Sequence, residues 1–426
     1  MEELTFQSKE KGITIHKAMK HSSIRTGLKT LLFALCLAAG TTAHAAQPTV
    51  QPVLQGKWPA SPRGHYAYDV KVVGHYAYVA DSTNGLQIID VTSPTNCVRV
   101  GGYATRGPAR SVAVAGNYAY VANESYEGLQ VIDVSNPANC VRVGGRTNDP
   151  GGYASEVAVA GNYAYVADGC AGLQVIDVRN PTNCIRVGGF YNSWCYGGVA
   201  VLGKYAYLTS SRAGLHIVDV SDPANCVQVG RYFTDGNAAS VAVSGNYAYV
   251  TDSYWGGLEV IDVRNPTNCV GVGYYDTGYG TSGRYATRGV AVAGSYVYVA
   301  ESLVFGNRPL GRLEVIDVSN PTNCVRVGGY DTKGEARGVA VVGGRIYLAD
   351  GNEGLLVVPT IRDFQFSVRV DATPNLPFTL EAATNLADPN SWQPLLTTNV
   401  ATMPFDFVDF DVKLTNKPQK FYRVRQ

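Results

Sequence analysis

The sequence predicts an all-β protein: a seven-bladed β-propeller with four antiparallel strands in each blade, followed by a small β-sandwich-like module. Three observations predict the propeller. A unit of about 42–49 residues occurs seven times, each unit contains four short runs rich in Val, Ile and Tyr, and Gly or Pro separates the runs. Four-stranded units of this length are typical of propeller blades.

The first half of the unit is a predicted β-hairpin, "SVAVAGNYAYVAN" at 111–123. Its Gly-Asn turn favours a tight connection between two strands. The second half contains an apolar run that ends in Asp-Val, a Pro-x-Asn-Cys turn and a fourth strand. We number the strands of each blade 1 to 4 along the chain, with strand 1 at the centre of the ring. Copies of the hairpin begin at residues 69, 111, 156, 198, 240, 289 and 338.

The seventh copy is incomplete, and the N-terminal side of the repeats supplies what it lacks. The copy ends with "GLLVVPT" at 354–360 and has no Pro-x-Asn-Cys strand, while "PVLQGKW" at 52–58 is similar to the missing "CVRVGGY". A strand from 52–58 would cover the open edge of the last blade. We therefore expect the N-terminal strand to close the ring.

Six stretches of the chain resemble the repeat of the LVIVD-repeat family, named after a Leu-Val-Ile-Val-Asp run. The second position here is Gln, His or Glu. The resemblance covers 52–360 and implies an exported or cell-surface propeller, without a catalytic motif that could be carried over. The matching stretches are 86–90, 129–133, 173–177, 215–219, 258–262 and 313–317.

The N-terminus has the pattern of an export signal over residues 1–45. Basic residues precede the apolar run "LLFALCLAAG" at 31–40, and "AHA" at 43–45 provides small residues for cleavage. The segment before Met19 fits no part of such a signal, so we predict Met19 as the true start. The mature protein would be periplasmic, cell-surface or extracellular, and no later segment is long and apolar enough to span a membrane.

The composition changes after the last repeat, and residues 361–426 are predicted to form the β-rich module. They contain five short strand-like runs. The pattern at 380–386, Trp392 and 421–424 resembles a module found at the ends of bacterial exported proteins. That resemblance implies an accessory unit without a known chemistry.

The cysteines fall into two classes. Six begin strand 4, about 17 Å apart around the predicted ring, which exceeds the Cα separation of about 7 Å that a disulfide allows. We interpret them as small buried apolar residues. Cys170 and Cys195 lie in neighbouring loops of one face, and we predict a disulfide between them, with two free thiols as the alternative. The six are Cys97, Cys140, Cys184, Cys226, Cys269 and Cys324.

The connections between strands 2 and 3, and between one blade and the next, vary in length and open on one face. Variable loops on one face of a repeat protein often bind a ligand. The longest, at 274–289 and 301–312, bring aromatic and arginine side chains together, which suits sugars, carboxylates or peptides. The alternative is that these aromatics pack their own loops. The candidates are Tyr254, Trp255, Tyr275, Tyr279, Arg284, Tyr285, Phe305, Arg308 and Arg312.

A second candidate site lies at the start of strand 1, around the mouth of the central channel. Its arginines would favour an anionic ligand, unless its two acids form internal salt bridges with them. These residues are Asp69, Arg110, Glu156, Arg288 and Arg337. Acidic residues also end strand 2 in most copies, and we expect them to cap the following turns.

The predicted function is binding. A formal net charge of +1, with charged residues at 16%, argues against nucleic acid or anionic lipid as partners. We find no catalytic triad, zinc motif or phosphate loop, and expect no metal or cofactor. The sequence favours an exported protein that recognises a glycan, peptide or protein partner through the variable-loop face. Two alternatives remain open: a carbohydrate-active hydrolase or lyase using channel-mouth carboxylates, and a purely structural surface protein.

Overall fold

The protein is represented by a computed structural model, which describes most of the repeat region and short strands outside it. Within the repeat region the described residues are 54–58, 65–125, 127–149, 152–191, 194–254, 257–277, 285–305 and 308–360. For 285–286, 303–305 and 308–310 only the backbone is described.

Seven four-stranded antiparallel sheets form the predicted propeller. Blades 1 to 3 consist of Asp69–Val73, Tyr76–Ala80, Leu86–Asp90 and Val98–Tyr103; Ala109–Ala115, Tyr118–Asn123, Gly128–Asp133 and Val141–Arg146; and Glu156–Ala160, Tyr163–Ala167, Leu173–Asp177 and Ile185–Phe190. Blades 4 to 6 consist of Tyr196–Leu202, Tyr205–Ser210, Gly214–Asp219 and Val227–Tyr232; Ala238–Ser244, Tyr247–Asp252, Gly257–Asp262 and Val270–Asp276; and Tyr285–Ala293, Tyr296–Phe305, Arg308–Asp317 and Val325–Thr332. Blade 7 consists of Gly338–Val342, Arg345–Ala349, Leu355–Pro359 and Gly56–Trp58.

The N-terminal strand closes the ring, as predicted. Gly56–Trp58 pairs antiparallel with Leu355–Pro359, with Trp58 opposite Leu355. Trp58 is buried and packs in one core cluster with residues of blades 7 and 1. The innermost strands contact one another around the ring, including Gly338–Val342 against Asp69–Val73.

The hydrophobic core lies between adjacent blades. Between blades 2 and 3, Leu129 and Tyr120 pack against Val157 and Val166. Strands 2 and 3 are almost wholly buried, whereas strand 4 is half exposed at the edge. The β-branched and aromatic side chains of the repeat therefore fill the wedge that each pair of blades encloses.

One turn at the outer edge recurs in every blade that has a Pro-x-Asn-Cys segment. In blade 2, Asp133 caps the turn by accepting a hydrogen bond from Ser135 N at 2.9 Å. Cys140 Sγ donates to the Pro137 carbonyl at 3.2 Å, across a 3-10 turn at Pro137–Asn139. The turn of the next blade packs on Gly144, where an added Cβ would lie 1.9 Å from the Pro181 carbonyl oxygen. Strand 4 needs glycine there.

The six repeat cysteines are therefore more than small core residues. They carry free thiols and are half-buried rather than buried, which corrects the sequence interpretation. Each packs against a core cluster or a turn, and burial raises the pKa of its thiol. The physical reason for the partial burial is that strand 4 is the outermost strand, so one side of each turn faces solvent.

Blade 6 differs from the sequence prediction. Its strands 2 and 3 continue as a long hairpin, with Phe305 opposite Arg308, through the segment 301–312 that was expected to be a loop. Its strand 1 begins at Tyr285, inside the expected loop 274–289. The additional residues of this blade therefore lengthen its sheet through backbone pairing, where the sequence had predicted an irregular loop.

The chain divides into two compact units, residues 54–358 and a second unit containing 1–53 and 359–426. The second unit has one sheet of Leu4–Gln7, Thr14–Lys17, Phe366–Asp371 and Phe405–Asp409, and another of Gln393–Thr398, Phe378–Ala383 and Phe421–Arg425. Two of these strands precede Met19, so a chain that starts at Met19 would lack them. The signal peptide, the start at Met19 and the β-sandwich-like module stay predictions. No helix among the described residues is long and apolar enough to span a membrane.

Candidate functional site: the loop face and the channel mouth

The start of strand 1 and the end of strand 2 meet at one end of every blade. In blade 1, Asp69 lies opposite Ala80. The connections between strands 2 and 3 and between successive blades open at this end, and we call the surface that they form the loop face. The opposite face carries the tight turns between strands 1 and 2 and the Pro-x-Asn-Cys turns.

Two tyrosines before strand 1 of blade 1 organise the channel mouth. The rings of Tyr66 and Tyr68 are 4.7 Å apart. Arg337 Nε donates to Tyr66 Oη at 2.8 Å, and its guanidinium carbon lies 4.9 and 5.0 Å from the two ring centroids. Its Nη2 donates to Glu335 at 2.6 Å. Burial and the Glu335 carboxylate raise the pKa of Tyr66, so the phenol stays protonated.

Arg110 of blade 2 contacts one ring of the same aromatic pair. Its guanidinium carbon lies 4.1 Å from the Tyr68 ring centroid, a distance typical of a cation–π contact. Its Nε donates to Glu124 at 2.6 Å. Two arginines are thus held by aromatic rings, and each is neutralised by one glutamate.

Arg288 of blade 6 is different. Its Nε reaches Ser302 Oγ at 3.5 Å, and none of the described carboxylates lies within salt-bridge distance of it. Arg288 is exposed. Desolvation of its guanidinium by the surrounding protein still lowers the pKa, the positive charges of Arg337 and Arg110 lower it further, and the Glu335 carboxylate opposes this shift. We call Arg110, Arg288 and Arg337 the arginine cluster.

The acids that the sequence placed at the mouth serve the channel wall instead. Asp69 accepts hydrogen bonds from Ser111 Oγ at 2.8 Å and Val112 N at 3.1 Å in the next blade. It also pairs with Lys71 at 3.3 Å. Glutamates 124 and 335, which the sequence analysis did not identify, neutralise the arginines.

Glu156 belongs to the same inner group as Asp69 and Lys71. It accepts a hydrogen bond from Val199 N of blade 4 at 3.1 Å. Burial raises its pKa to about 7, although the charge of Lys71 opposes this shift; Asp69 raises it further. Lys71 on blade 1 and Glu156 on blade 3 interact electrostatically across the space that the innermost strands enclose.

The acidic ends of strand 2 are buried and hold the loops that enter strand 1. Asp81 accepts from Tyr66 N at 2.6 Å, and Asp350 accepts from Gly334 N at 3.1 Å. Burial raises the pKa of Asp350 to about 7. The expected capping of the following turn occurs at Asp252, which accepts from Tyr254 N at 2.7 Å.

The blade 5–6 corner predicted from sequence is described only in part. Tyr254 is exposed and Tyr275 is half-buried, with its pKa raised by burial to about 12. Arg312 forms ion pairs with Glu314 and Asp331, both at 3.0 Å, so its charge is satisfied within the chain. Trp255, Tyr279 and Arg284 lie outside the described residues, and the side chains of Tyr285, Phe305 and Arg308 are likewise not described.

Exposed aromatic residues lie on the loop face of blades 3, 4 and 5, mostly away from that corner. Tyr191 is 71% exposed and Phe233 is 58% exposed. The Arg231 guanidinium lies 3.8 Å from the Phe233 ring centroid and supports the ring from one side. Of these residues, only Tyr254 was predicted from the sequence. The others could have been predicted in the same way, because each lies beside a connection between blades or between strands 2 and 3. We call this set the aromatic arc: Tyr153, Tyr191, Phe233, Tyr254 and Tyr274.

A disulfide links two loops beside the aromatic arc. The structure joins Cys170, between strands 2 and 3 of blade 3, to Cys195, just before blade 4. These are the two cysteines singled out from the sequence. His216, on strand 3 of blade 4, is buried, and its Nδ1 lies 3.1 Å from Gln228 Oε1.

Comparison with known proteins supports the fold. A family model described as the LVIVD repeat matches residues 64–105, 106–145, 151–191, 197–234, 235–277, 283–332 and 333–359. No curated protein matches the chain. A computationally designed protein, Ika8, is 8% identical with a TM-score of 0.50, covering 83% of this chain and 95% of its own. The β-propeller domain of Cps50 (Swd1) from Myceliophteria thermophila is 12% identical with a TM-score of 0.51, covering 69% and 96%. At these identities the likeness concerns the fold alone.

Proposed function

The chain belongs to the LVIVD-repeat family, and from this premise we propose that it is an exported, non-catalytic binding protein that recognises a glycan with the loop face of its propeller. A propeller repeat protein fits a general role in binding. The glycan and the export are our proposal.

The aromatic arc is the observation that carries the proposal. Five aromatic side chains, between 39% and 71% exposed, lie on one face of three consecutive blades. Exposed apolar side chains that gather on one face often mark an interaction surface. Their flat rings offer apolar area with little conformational entropy to lose on binding.

The surroundings of the arc favour a sugar over a folded protein partner. Protein–protein anchors usually enter apolar pockets. The cavity described beside the arc, between blades 2 and 3, has charged residues in its wall, including Asp149, Asp168 and Arg186, together with apolar residues such as Leu129 and Ile176. Polar groups next to flat aromatic rings suit a ligand with hydroxyl groups on its edges and C–H groups on its faces.

The proposal is tested by a glycan and peptide array probed with the full chain. The test variant changes Tyr191, Phe233 and Tyr254 to Ala. The matched control changes Val73, Leu202 and Val342 to Ala, because these residues are also exposed but lie at the turns of the opposite face. We expect glycan binding by the native chain and the control, and at least a tenfold loss in the test variant. Peptide binding alone, or no binding at all, would overturn the proposal and favour a protein partner or a structural role.

A second candidate function rests on Glu156. A carboxyl with its pKa raised to about 7, close to Asp69, could act as a general acid on a glycan, as a hydrolase or lyase requires. Product formation from glycans that bind, lost in Glu156→Gln while binding persists, would establish an enzyme. Unchanged products in that variant, or none in the native chain, would reject this role.

Export is tested separately, since it rests on residues 1–45 and not on the loop face. A reporter fused behind Met1 or behind Met19 should leave the cytoplasm in both cases. Export that requires the Met1 start would refute the start at Met19, and retention of both fusions would refute export.

A further inference from the structure

Building on the proposed glycan-binding function, we propose that the arginine cluster is a subsite for the carboxylate of an acidic sugar, and that Arg288 is the residue that binds it. The aromatic arc would hold neutral sugar faces, and the channel mouth would select chains that carry uronate groups.

Among the described residues of the mouth, three arginines have two glutamates within salt-bridge distance. Arg110 is paired with Glu124 and Arg337 with Glu335. Arg288 has no such partner among the described residues. Three guanidinium groups that repel one another, with two carboxylates between them, favour the arrival of one further negative charge.

Two arginines of the cluster, Arg110 and Arg337, are held in place before any ligand arrives. Tyr66 and Tyr68 support Arg337, and Tyr68 also supports Arg110. Ordering these side chains therefore costs little when a ligand binds, which preserves affinity. The planar guanidinium of Arg288 can offer two parallel N–H groups to a carboxylate.

A ligand group with a single negative charge matches the one excess positive charge of the arginine cluster better than a phosphate monoester does. One excess positive charge matches one carboxylate, whereas a phosphate monoester carries about 1.5 to 2 negative charges at neutral pH. The tyrosine rings beside the arginines also provide apolar area for the sugar ring that bears the carboxylate.

The inner channel limits how far the ligand enters. Asp69 follows Tyr68 directly, and it lies with Lys71 and Glu156 deeper along strand 1. A second carboxylate entering there would meet acidic groups of like charge. The sugar carboxylate is therefore expected at the mouth, next to Arg288, and not inside the channel.

The test is calorimetric titration of the full chain with three probes: tetragalacturonate, its fully methyl-esterified form, and a tetraglutamate peptide. The ester keeps the shape of the acid and removes its charge. We expect the native chain to bind the acid at least tenfold more tightly than the ester, and to bind the peptide weakly or not at all. Arg288→Gln should bind acid and ester alike.

The control is Arg179→Gln, which removes one positive charge from an exposed arginine on the opposite face. It should keep the native preference for the acid. Arg288→Lys retains the positive charge but lacks the planar guanidinium, so it should keep part of the preference for the acid. If it does, the loss of preference in Arg288→Gln is not due to misfolding at this position.

Each remaining outcome overturns the inference. Equal binding of acid and ester by the native chain would remove the carboxylate subsite and leave the proposed glycan binding intact. Binding of neither sugar would refute both for this class of glycan. Binding of the tetraglutamate peptide through Arg288, without the sugar, would assign the subsite to acidic peptides.

Discussion

The outer edge of the ring and the channel mouth arise from the same seven repeats, but the copies agree only at the edge. There, six turns place a Cys Sγ 3.2–3.3 Å from the carbonyl oxygen of the proline three residues earlier. At the mouth, the residue that begins the repeated hairpin differs from blade to blade. It is Asp69, Ser111, Glu156, Gly198, Ser240, Gly289 and Gly338 in turn.

This difference separates what the ring needs from what a single site needs. A contact described at six junctions holds one blade against the next, as Gly144 does against Pro181. A side chain present in only some copies, such as the arginine at 110, 288 and 337, is not required to form a blade. The predictions below test this division, beginning with the largest expected effect.

Removing the indole that closes the ring should have the largest effect. Trp58→Ala leaves a cavity between blades 7 and 1, where Trp58 packs with Leu355 and Val357. We expect a loss of about 3–5 kcal/mol in the free energy of unfolding, measured by urea denaturation. Val73→Ala, at an exposed turn, should change it by less than about 0.5 kcal/mol. Equal effects of the two variants would contradict closure by the N-terminal strand.

Breaking the Cys170–Cys195 disulfide tests the only covalent constraint described on the loop face. The double change of Cys170 and Cys195 to Ala should lower the unfolding free energy by about 2–4 kcal/mol. Reductant should destabilise the native chain by a similar amount and leave the double variant unchanged. If reductant has no effect on the native chain, these two thiols are free in solution.

Filling a glycine at the outer edge tests the repeated turn. Gly144→Ala would place Cβ 1.9 Å from the Pro181 carbonyl oxygen, so the neighbouring blade must shift. We expect a loss of about 1–3 kcal/mol in thermal or urea unfolding. Gly197→Ala is the control, since the nearest atom would lie 3.7 Å away. A harmless Gly144→Ala would mean that this contact does not hold the blades together.

The smallest effect is expected at Glu156 and depends on pH. Because burial raises the pKa of Glu156 to about 7 in the folded state, folding favours the protonated carboxyl. Its contribution is greatest below the unfolded pKa, near 4.5, and is lost as pH rises towards 7. Glu156→Gln should therefore be more stable than the native chain at pH 8, by about 1 kcal/mol after allowance for partial solvent access.

The comparison is made by urea unfolding at pH 5 and pH 8. The native chain should lose more stability between these two pH values than Glu156→Gln does. Both proteins still lose some stability, because the pKa values of Asp168, Glu259 and Asp350 are raised to about 6, 7 and 7. Parallel losses in the two proteins would show that Glu156 is not desolvated in the channel.

The sequence predicts the ring well because the ring depends on local patterns. Four strands per unit, the incomplete seventh copy and the segment at 52–58 lead to the closure that the structure contains. The Asp-Val end of strand 3 and the Pro-x-Asn-Cys turn that follows it are also local, and Asp133 caps this turn in blade 2. These features require only contacts within a blade or between neighbours in the repeat.

The mouth was harder to predict because the acidic partners of its arginines each occur in one copy of the repeat. The sequence left open that Asp69 and Glu156 neutralise the arginines, whereas Glu124 and Glu335 bind two of them. Both ion pairs could have been predicted from the positions of the residues along the chain. Glu335 precedes Arg337 by two residues in extended chain and so shares its side, and hairpin pairing of Ala109 with Asn123 brings Glu124 near Arg110. Tyr66 and Tyr68 are also two residues apart in extended chain and so share a side, and their rings lie 4.7 Å apart.

Hydrogen–deuterium exchange of the full chain, with and without tetragalacturonate, tests most directly whether function resides on the loop face. The account predicts protection at 65–68, 285–288 and 333–337, around the arginine cluster, with none at the strand 1–2 turns near Gly74, Gly116 and Gly203. Protection at those turns of the opposite face, or protection nowhere, would contradict it.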